Sequence, residues 1–313
     1  MRTQKDRDYQ LTQIAIMHFQ KGVSQQDIAS RFGLSKMTIS RMLQEAKDKF
    51  ILQINVTLPF QIDLQKAEEI VGKYQIKTAI IVKSSDNEKF VTTELIGKIY
   101  AFYMGIALQE NHVLGMGVGK TIGQIVQNLF PMNTQNLHIV QLMGGLEDVN
   151  YANPFTIVQE TCRKLHATGT YISSYATVES KALRESFLYK SEIGERVIGY
   201  WKKCKEALFG IGTIEKGTLL SPKLVMVEEI QKLKKLGAVG DVLGHCFDSK
   251  GNFIHTNLED RLISIPTIIL KKIENRTAVA AGAEKASAIH GALLSGLITT
   301  LVTDDKTAAV LLE

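Results

Sequence analysis

Along the first fifty residues, apolar positions recur with the period of a helix. Leu11, Ile14, Ala15, His18 and Phe19 mark one face of a first helix that ends near Lys21-Gly22. Ser24 is placed to cap a second helix, and Asp27 completes a capping-box-like pattern and puts negative charge at the helix's positive end. Ile28, Ala29 and Phe32 then face one way. Gly33 can turn left-handed without steric cost, and Leu34 can pack under the turn. Ser35 caps a third helix, where Ile39, Met42, Leu43 and Ala46 form the i, i+3, i+4, i+7 stripe. Met37, Ser40, Arg41 and Gln44 lie opposite that stripe, flanked by Lys36 and Thr38. A face with donors, acceptors, a cation and little acid in its first two turns fits the major groove of DNA. The same pattern also fits an ordinary helical hairpin.

Beyond the helices, Leu52, Ile54, Val56 and Leu58 alternate with Gln53, Asn55 and Thr57, the period of a half-buried strand. That is where a winged helix-turn-helix places its wing, and Pro59 stops it. A small N-terminal domain is therefore expected over 1–58 and a larger one over 59–313. In the second, Leu64–Tyr74 reads as a helix, followed by strand–helix alternation. Strands are expected at Thr78–Val82, Val113–Gly117, Leu137–Leu142, Thr170–Ser174, Ala207–Gly210, Thr277–Ala281 and Leu297–Thr303. Helices are expected at Glu88–Gln109, Thr121–Leu129, Phe155–Leu165, Ser180–Tyr200, Val225–Leu236 and Lys285–Leu294. Such alternation predicts a Rossmann-like α/β domain, its mainly parallel sheet covered on both faces.

Charge sharpens the division. Residues 1–57 hold nine Lys/Arg against five Asp/Glu, whereas 58–313 hold 28 against 27. Most of the formal +5 therefore belongs to the helical segment, where phosphate neutralisation would give salt-dependent affinity for nucleic acid. No apolar run approaches the roughly 18 residues of a membrane span, and the N-terminus lacks the apolar core of a secretory signal. Cys162, Cys204 and Cys246 are odd in number and far apart, as expected of reduced thiols in a cytoplasmic protein. His245 beside Cys246 makes no metal site by itself, and no cofactor is expected.

In open α/β sheets ligands bind beyond the carboxyl ends of the strands. Gly115-Met116-Gly117-Val118-Gly119-Lys120-Thr121 leaves one strand and enters a helix, whose free N–H groups favour a phosphate. Its spacing is neither that of a Walker P-loop nor that of a dinucleotide fingerprint. Gly144-Gly145, Gly210-Ile211-Gly212-Thr213 and Ala280 through Lys285 follow other strands. Asp241, among apolar and glycine residues, can accept from sugar hydroxyls or cap local backbone amides.

Taken together, these segments resemble the SorC family of bacterial sugar-responsive transcriptional regulators. The resemblance is carried by Ser24 through Ala29, Leu34-Ser35 through Leu43, Val140-Gln141-Leu142 with Gly144-Gly145, and Gly210-Ile211-Gly212. It continues through Gly237 to Asp241, Phe247 to Gly251, Lys285 with Ala288-Ile289, and Val302-Thr303-Asp304 before Thr307-Ala308. It implies an N-terminal domain that binds double-stranded operator DNA and an effector domain similar to sugar-phosphate isomerases. It also implies a phosphorylated sugar or polyol as inducer, and a homotetramer.

On the polar face of the third helix, Arg41 and Gln44 are expected to reach bases, Met37 to touch a thymine methyl, and Lys36 with Ser35 to contact phosphate. Gln25, Thr38 and Ser40 complete that candidate set. Carried onto this chain, the resemblance implies that Gly117, Gly119, Lys120 and Thr121 would take the effector's phosphate, and that Gly144, Gly145, Gly212, Asp241 and Lys285 would complete its pocket. Met143 stands where one branch has a Schiff-base lysine, so a covalent aldehyde complex there is not expected. Val118 and Lys120 replace the loop's more usual residues, and the usual proline is missing around Ser173–Ala176. The alternative is a sugar-phosphate isomerase with Asp241 as general base and Lys285 as electrophile or phosphate clamp. That reading leaves the basic helices unexplained.

Overall fold

The computed structural model describes residues 4–54, 60–83, 93–146, 153–215, 217 and 225–313. It resolves into two compact units, Met1–Pro59 and Phe60–Glu313. The first contains α1 (Gln4–Ala15), continued by a π-helical turn over Ile16–Gln20, then α2 (Gln25–Phe32) and α3 (Lys36–Asp48). Ser24 accepts from the Asp27 amide, and Gly33 takes the left-handed conformation that ends α2. Ser35 caps α3 by accepting from the Thr38 amide. Leu11, Ile14, Ile28, Ala29, Ile39, Met42, Leu43 and Ala46 close into one apolar core. A core this small leaves little reserve. Ile39→Ala is expected to cost about 2–5 kcal/mol, so that the first unit melts well before the second in calorimetry.

The strand expected after α3 does not begin where alternation places it. Phe50 adopts a positive φ of 56° and reverses the chain, and the Leu52 amide donates back to the Ala46 carbonyl at 3.0 Å. Leu52–Ile54 are therefore not strand, and Asn55 to Leu58 lie outside the described residues.

The second unit runs α4 (Leu64–Tyr74), β1 (Thr78–Val82), α5 (Thr93–Ala107), β2 (Val113–Met116), α6 (Lys120–Asn128) and β3 (His138–Gln141). Then come α7 (Pro154–Leu165), β4 (Thr168–Thr170), α8 (Lys181–Lys190), α9 (Glu192–Lys203), β5 (Glu206–Gly210) and β6 (Gly212–Thr213). The chain closes with α10 (Val227–Lys235), β7 (Ala238–Val242), β8 (His245–Asp248), α11 (Asn257–Asp260), α12 (Thr267–Leu270), β9 (Asn275–Val279), α13 (Ala286–Leu294), β10 (Thr300–Asp304) and α14 (Asp305–Leu312).

Seven strands form one parallel sheet in the order β1-β10-β9-β5-β2-β3-β4. The helix expected over Ser180–Tyr200 is two, because Ser191 is extended and its hydroxyl caps α9 by accepting from Gly194 at 3.0 Å. The expected strand at Thr170–Ser174 instead ends at Thr170. Part of the helix expected from Glu88 lies outside the described residues; the described part begins at Thr93.

An antiparallel sheet, β6-β7-β8, was not apparent from strand–helix alternation. Its β7–β8 turn uses Leu243 and Gly244, both with positive φ, as two-residue hairpins require. Register matters more than the sheet itself. Gly212 stands opposite Asp241, and Asp241 opposite Cys246. Among the described residues no helix is long and apolar enough to cross a membrane.

Candidate functional site

Three adjacent strands, β9, β5 and β2, end at one cleft of about 240 Å³. From β2 the chain passes outward to β3, while β9 lies on the other side of β5. That is the kind of switch point where an open sheet leaves a crevice. Val118, Gly119, Lys120 and Thr121 line one side, and Gly210 to Thr213 with Gly217 line the floor. Asp241 and Leu243 come from the antiparallel sheet, Val279 and Ala281 from the exit of β9, and Glu284 and Lys285 from the turn before α13. Thr93, the first described residue of α5, completes the described lining.

Gly119 opens α6. Its φ of 130° suits glycine alone, and the first α-helical bond runs from the Gly123 amide to the Gly119 carbonyl. The amides of Lys120, Thr121 and Ile122 precede that bond and have no acceptor within the helix. Thr121 is buried at 7% exposure, whereas Lys120 is exposed.

Asp241 is the most constrained group here, at 4% exposure. Its Oδ2 accepts from the Gly244 amide at 3.0 Å and so fixes the hairpin turn. Its Oδ1 is buried without a hydrogen-bond partner among the described residues. A Cβ at Gly212 would stand 2.2 Å from that oxygen, so only glycine leaves room for it. Burial pushes the Asp241 carboxyl above its ordinary value, opposed by the Gly244 bond and by the positive fields of His245 and Lys285. Lys285 is half-buried, and its ammonium donates to the Ile211 carbonyl at 3.4 Å. Desolvation lowers its pKa; Glu284 and Asp241 oppose that, and Lys120 adds to it. Lys285 thus lines the cleft as a partly desolvated cation and not as a fully solvated surface lysine. A buried, half-satisfied carboxylate beside a partly desolvated ammonium is costly in the free protein. A ligand with hydroxyls for the one and an anionic group for the other would relieve both.

The cleft gathers Gly119, Lys120, Thr121, Gly212, Asp241 and Lys285 from the expected set. Gly117, Gly144 and Gly145, also expected there, are not in its described lining. Gly117 makes room for the Phe209 side chain, 2.7 Å from where a Cβ would be. Gly144 lets the backbone of Tyr175 approach, its absent Cβ only 2.4 Å from that carbonyl oxygen. The Gly144 and Gly145 amides are spent on the Ile263 and Ser174 carbonyls, both at 2.8 Å. Thr93, Gly217, Leu243 and Val279 were not foreseen. Leu243 and Gly217 follow from the unread antiparallel sheet, and Thr93 has no sequence signal.

In the first unit, α3 exposes Lys36, Met37, Ser40, Arg41 and Gln44 on one side, with Met37 at 65%. Ser35 is exposed beside Thr38, their hydroxyls 2.8 Å apart. Glu45, a turn beyond Arg41, is neutralised by Arg7 and Lys49. Arg41 itself makes no ion pair among the described residues. The Gln44 amide donates to Asp48 at 2.9 Å, so it must leave that carboxylate to reach a base. Gln25 opens α2, half-buried.

A helical unit with an exposed polar helix face, joined to an α/β unit with a cleft at its strand exits, has the parts that a ligand-responsive transcriptional regulator needs. Comparison with known proteins agrees. A family model described as "Putative sugar-binding domain" matches residues 59–313. The chain is 32% identical over 314 residues to the deoxyribonucleoside regulator of Bacillus subtilis (strain 168), covering 98% of this chain and 99% of that one. It is 25% identical to the sorbitol operon regulator of Klebsiella pneumoniae, over 97% of each chain. The crystal structure of the full-length sorbitol operon regulator SorC from that organism matches with a TM-score of 0.73 at 25% identity, covering 98% of this chain and 100% of that one. This chain belongs to the SorC family of sugar-responsive transcriptional regulators.

Proposed function

We propose that the chain binds the operator of a carbohydrate-utilisation operon through α3, under the control of a phosphorylated sugar or polyol in the cleft. The observation that carries this reading is the meeting of Asp241 Oδ1, the Lys285 ammonium and the free N-terminus of α6 in one cleft. Hydroxyls of the effector donate to Asp241, and its phosphate takes the α6 amides, the Thr121 hydroxyl and Lys120 or Lys285. The protein acts in the cytoplasm as a homotetramer, checked by light scattering on the purified chain. Asp241 and Lys285 hold the effector and turn nothing over.

A thermal-shift screen of sugar and polyol phosphates against their unphosphorylated parents tests the reading. A ligand that binds the folded state alone raises stability by mass action, about 2.7 kcal/mol at a hundredfold excess over Kd. Stabilisation by a phosphate, with none from its parent and no product formed, supports the regulator. Turnover lost on Asp241→Asn would instead support the isomerase. Gly212→Ala is expected to displace the Asp241 carboxylate and raise the effector Kd at least roughly tenfold, about 1.4 kcal/mol, measured by calorimetric titration.

A further inference from the structure

We propose that α5 transmits the state of the cleft to the segment that leads into the DNA-reading unit, with Phe60 as the residue that receives it. The inference rests on the effector reading above. Thr93, the first described residue of α5, and Lys120 and Thr121, at the start of α6, all line the cleft. The two helices are in close contact near their beginnings. A Cβ on Gly97 would stand 2.6 Å from the Gln124 Cβ and 3.0 Å from its carbonyl carbon. Helices this close cannot slide independently, because a packed interface has no slack to absorb the movement. A ligand that draws in the start of α6 therefore moves α5 with it.

Nine residues beyond Thr93, about 13 Å along a helix rising roughly 1.5 Å per residue, α5 presents Phe102 and Tyr103. Both rings meet Phe60 edge-on, with centroids 5.6 and 6.0 Å away. Phe60 packs against the same apolar cluster as Val279, which also lines the cleft. After Phe60 the chain runs antiparallel to the edge strand β1. The Lys83 amide donates to the Gln61 carbonyl at 2.9 Å, Ile62 bridges Val82, and the Asp63 amide donates to the Ile81 carbonyl at 2.8 Å. Phe60 directly follows Pro59, the last residue of the first unit. Packed side chains thus link the cleft to the start of the linker, and an effector can alter DNA binding by favouring one arrangement of that element.

Hydrogen exchange on the full chain tests this without knowledge of the operator. The probes are ribose 5-phosphate, deoxyribose 5-phosphate, fructose 6-phosphate, glucitol 6-phosphate and inorganic phosphate. With a probe that slows exchange over 119–123, the Asp63 and Lys83 amides are expected to change rate at least fivefold. In Phe60→Ala the change over 119–123 persists while that at Asp63 and Lys83 disappears, and Phe60→Tyr restores it. Phe60→Leu, which keeps apolar bulk without ring edges, gives the same loss should the alanine variant fold poorly. A wild-type response over 119–123 with none at Asp63 and Lys83 overturns the inference alone. So does a linker response retained in folded Phe60→Ala or Phe60→Leu. No response over 119–123 to any probe overturns the effector reading, and this inference with it.

Discussion

Lys285→Met is expected to abolish the effector response while leaving the ligand-free protein at least as stable as before. The ammonium is partly desolvated and, among the described residues, gains one 3.4 Å bond to the Ile211 carbonyl in return. Methionine keeps most of the length and needs no water, so the melting temperature without ligand should hold or rise. Truncating one partner of a buried charge-assisted contact costs about 2–4 kcal/mol, or roughly thirty- to several-hundred-fold in effector Kd. Calorimetric titration reads the second effect and a thermal melt the first. A variant that binds normally, or that unfolds, contradicts the assignment.

Asp241→Asn extends the same argument to pH. An acid whose pKa is raised by burial holds its proton longer in the folded state than in the unfolded one. Stability then falls as pH rises from the ordinary carboxylate value through the raised folded value. The asparagine variant should lose that slope and be the more stable protein at neutral pH, yet bind effector poorly. Its amide cannot offer two acceptor oxygens to the effector and the Gly244 amide. Stability given up at a binding site is the usual trade for function.

Arg41→Ala is expected to weaken specific operator binding by about 1–3 kcal/mol and to relax base preference at one position. The guanidinium is exposed on α3, and its near acid, Glu45, is already neutralised by Arg7 and Lys49. Lys36→Ala should behave differently. It should weaken binding to all sequences alike and flatten the salt dependence by about one counterion. Anisotropy titrations of both variants across a salt series separate these outcomes, and an Arg41→Ala protein with unchanged operator affinity would exclude Arg41 as a base reader.

Local chemistry was legible wherever neighbours in sequence are neighbours in space. Ser24, Gly33 and Ser35 cap and turn the helices as their residue types suggest, and the α3 stripe closes the core of its unit. Gly119 could be read as the entry to a helix for the same reason. Asp241 could be singled out, but not why it matters. Its significance comes from an antiparallel register with Gly212, which no short-range pattern encodes. The glycines were ambiguous in a physical sense. Gly144 and Gly212 both mark a close approach to the backbone, but one admits Tyr175 and the other the Asp241 carboxylate. Thr93 reaches the cleft through the packing of α5 against α6, a tertiary fact with no local signature.

The central claim is that one cleft in the second unit governs DNA binding by the first. Its most direct test is the affinity of the wild-type chain for DNA upstream of its own operon, by anisotropy at fixed salt, with and without the stabilising sugar phosphate. The account predicts at least a tenfold change in Kd in the wild type and less than twofold in Lys285→Met. Equal affinities with and without that ligand in the wild type, at concentrations that saturate the cleft, would contradict it.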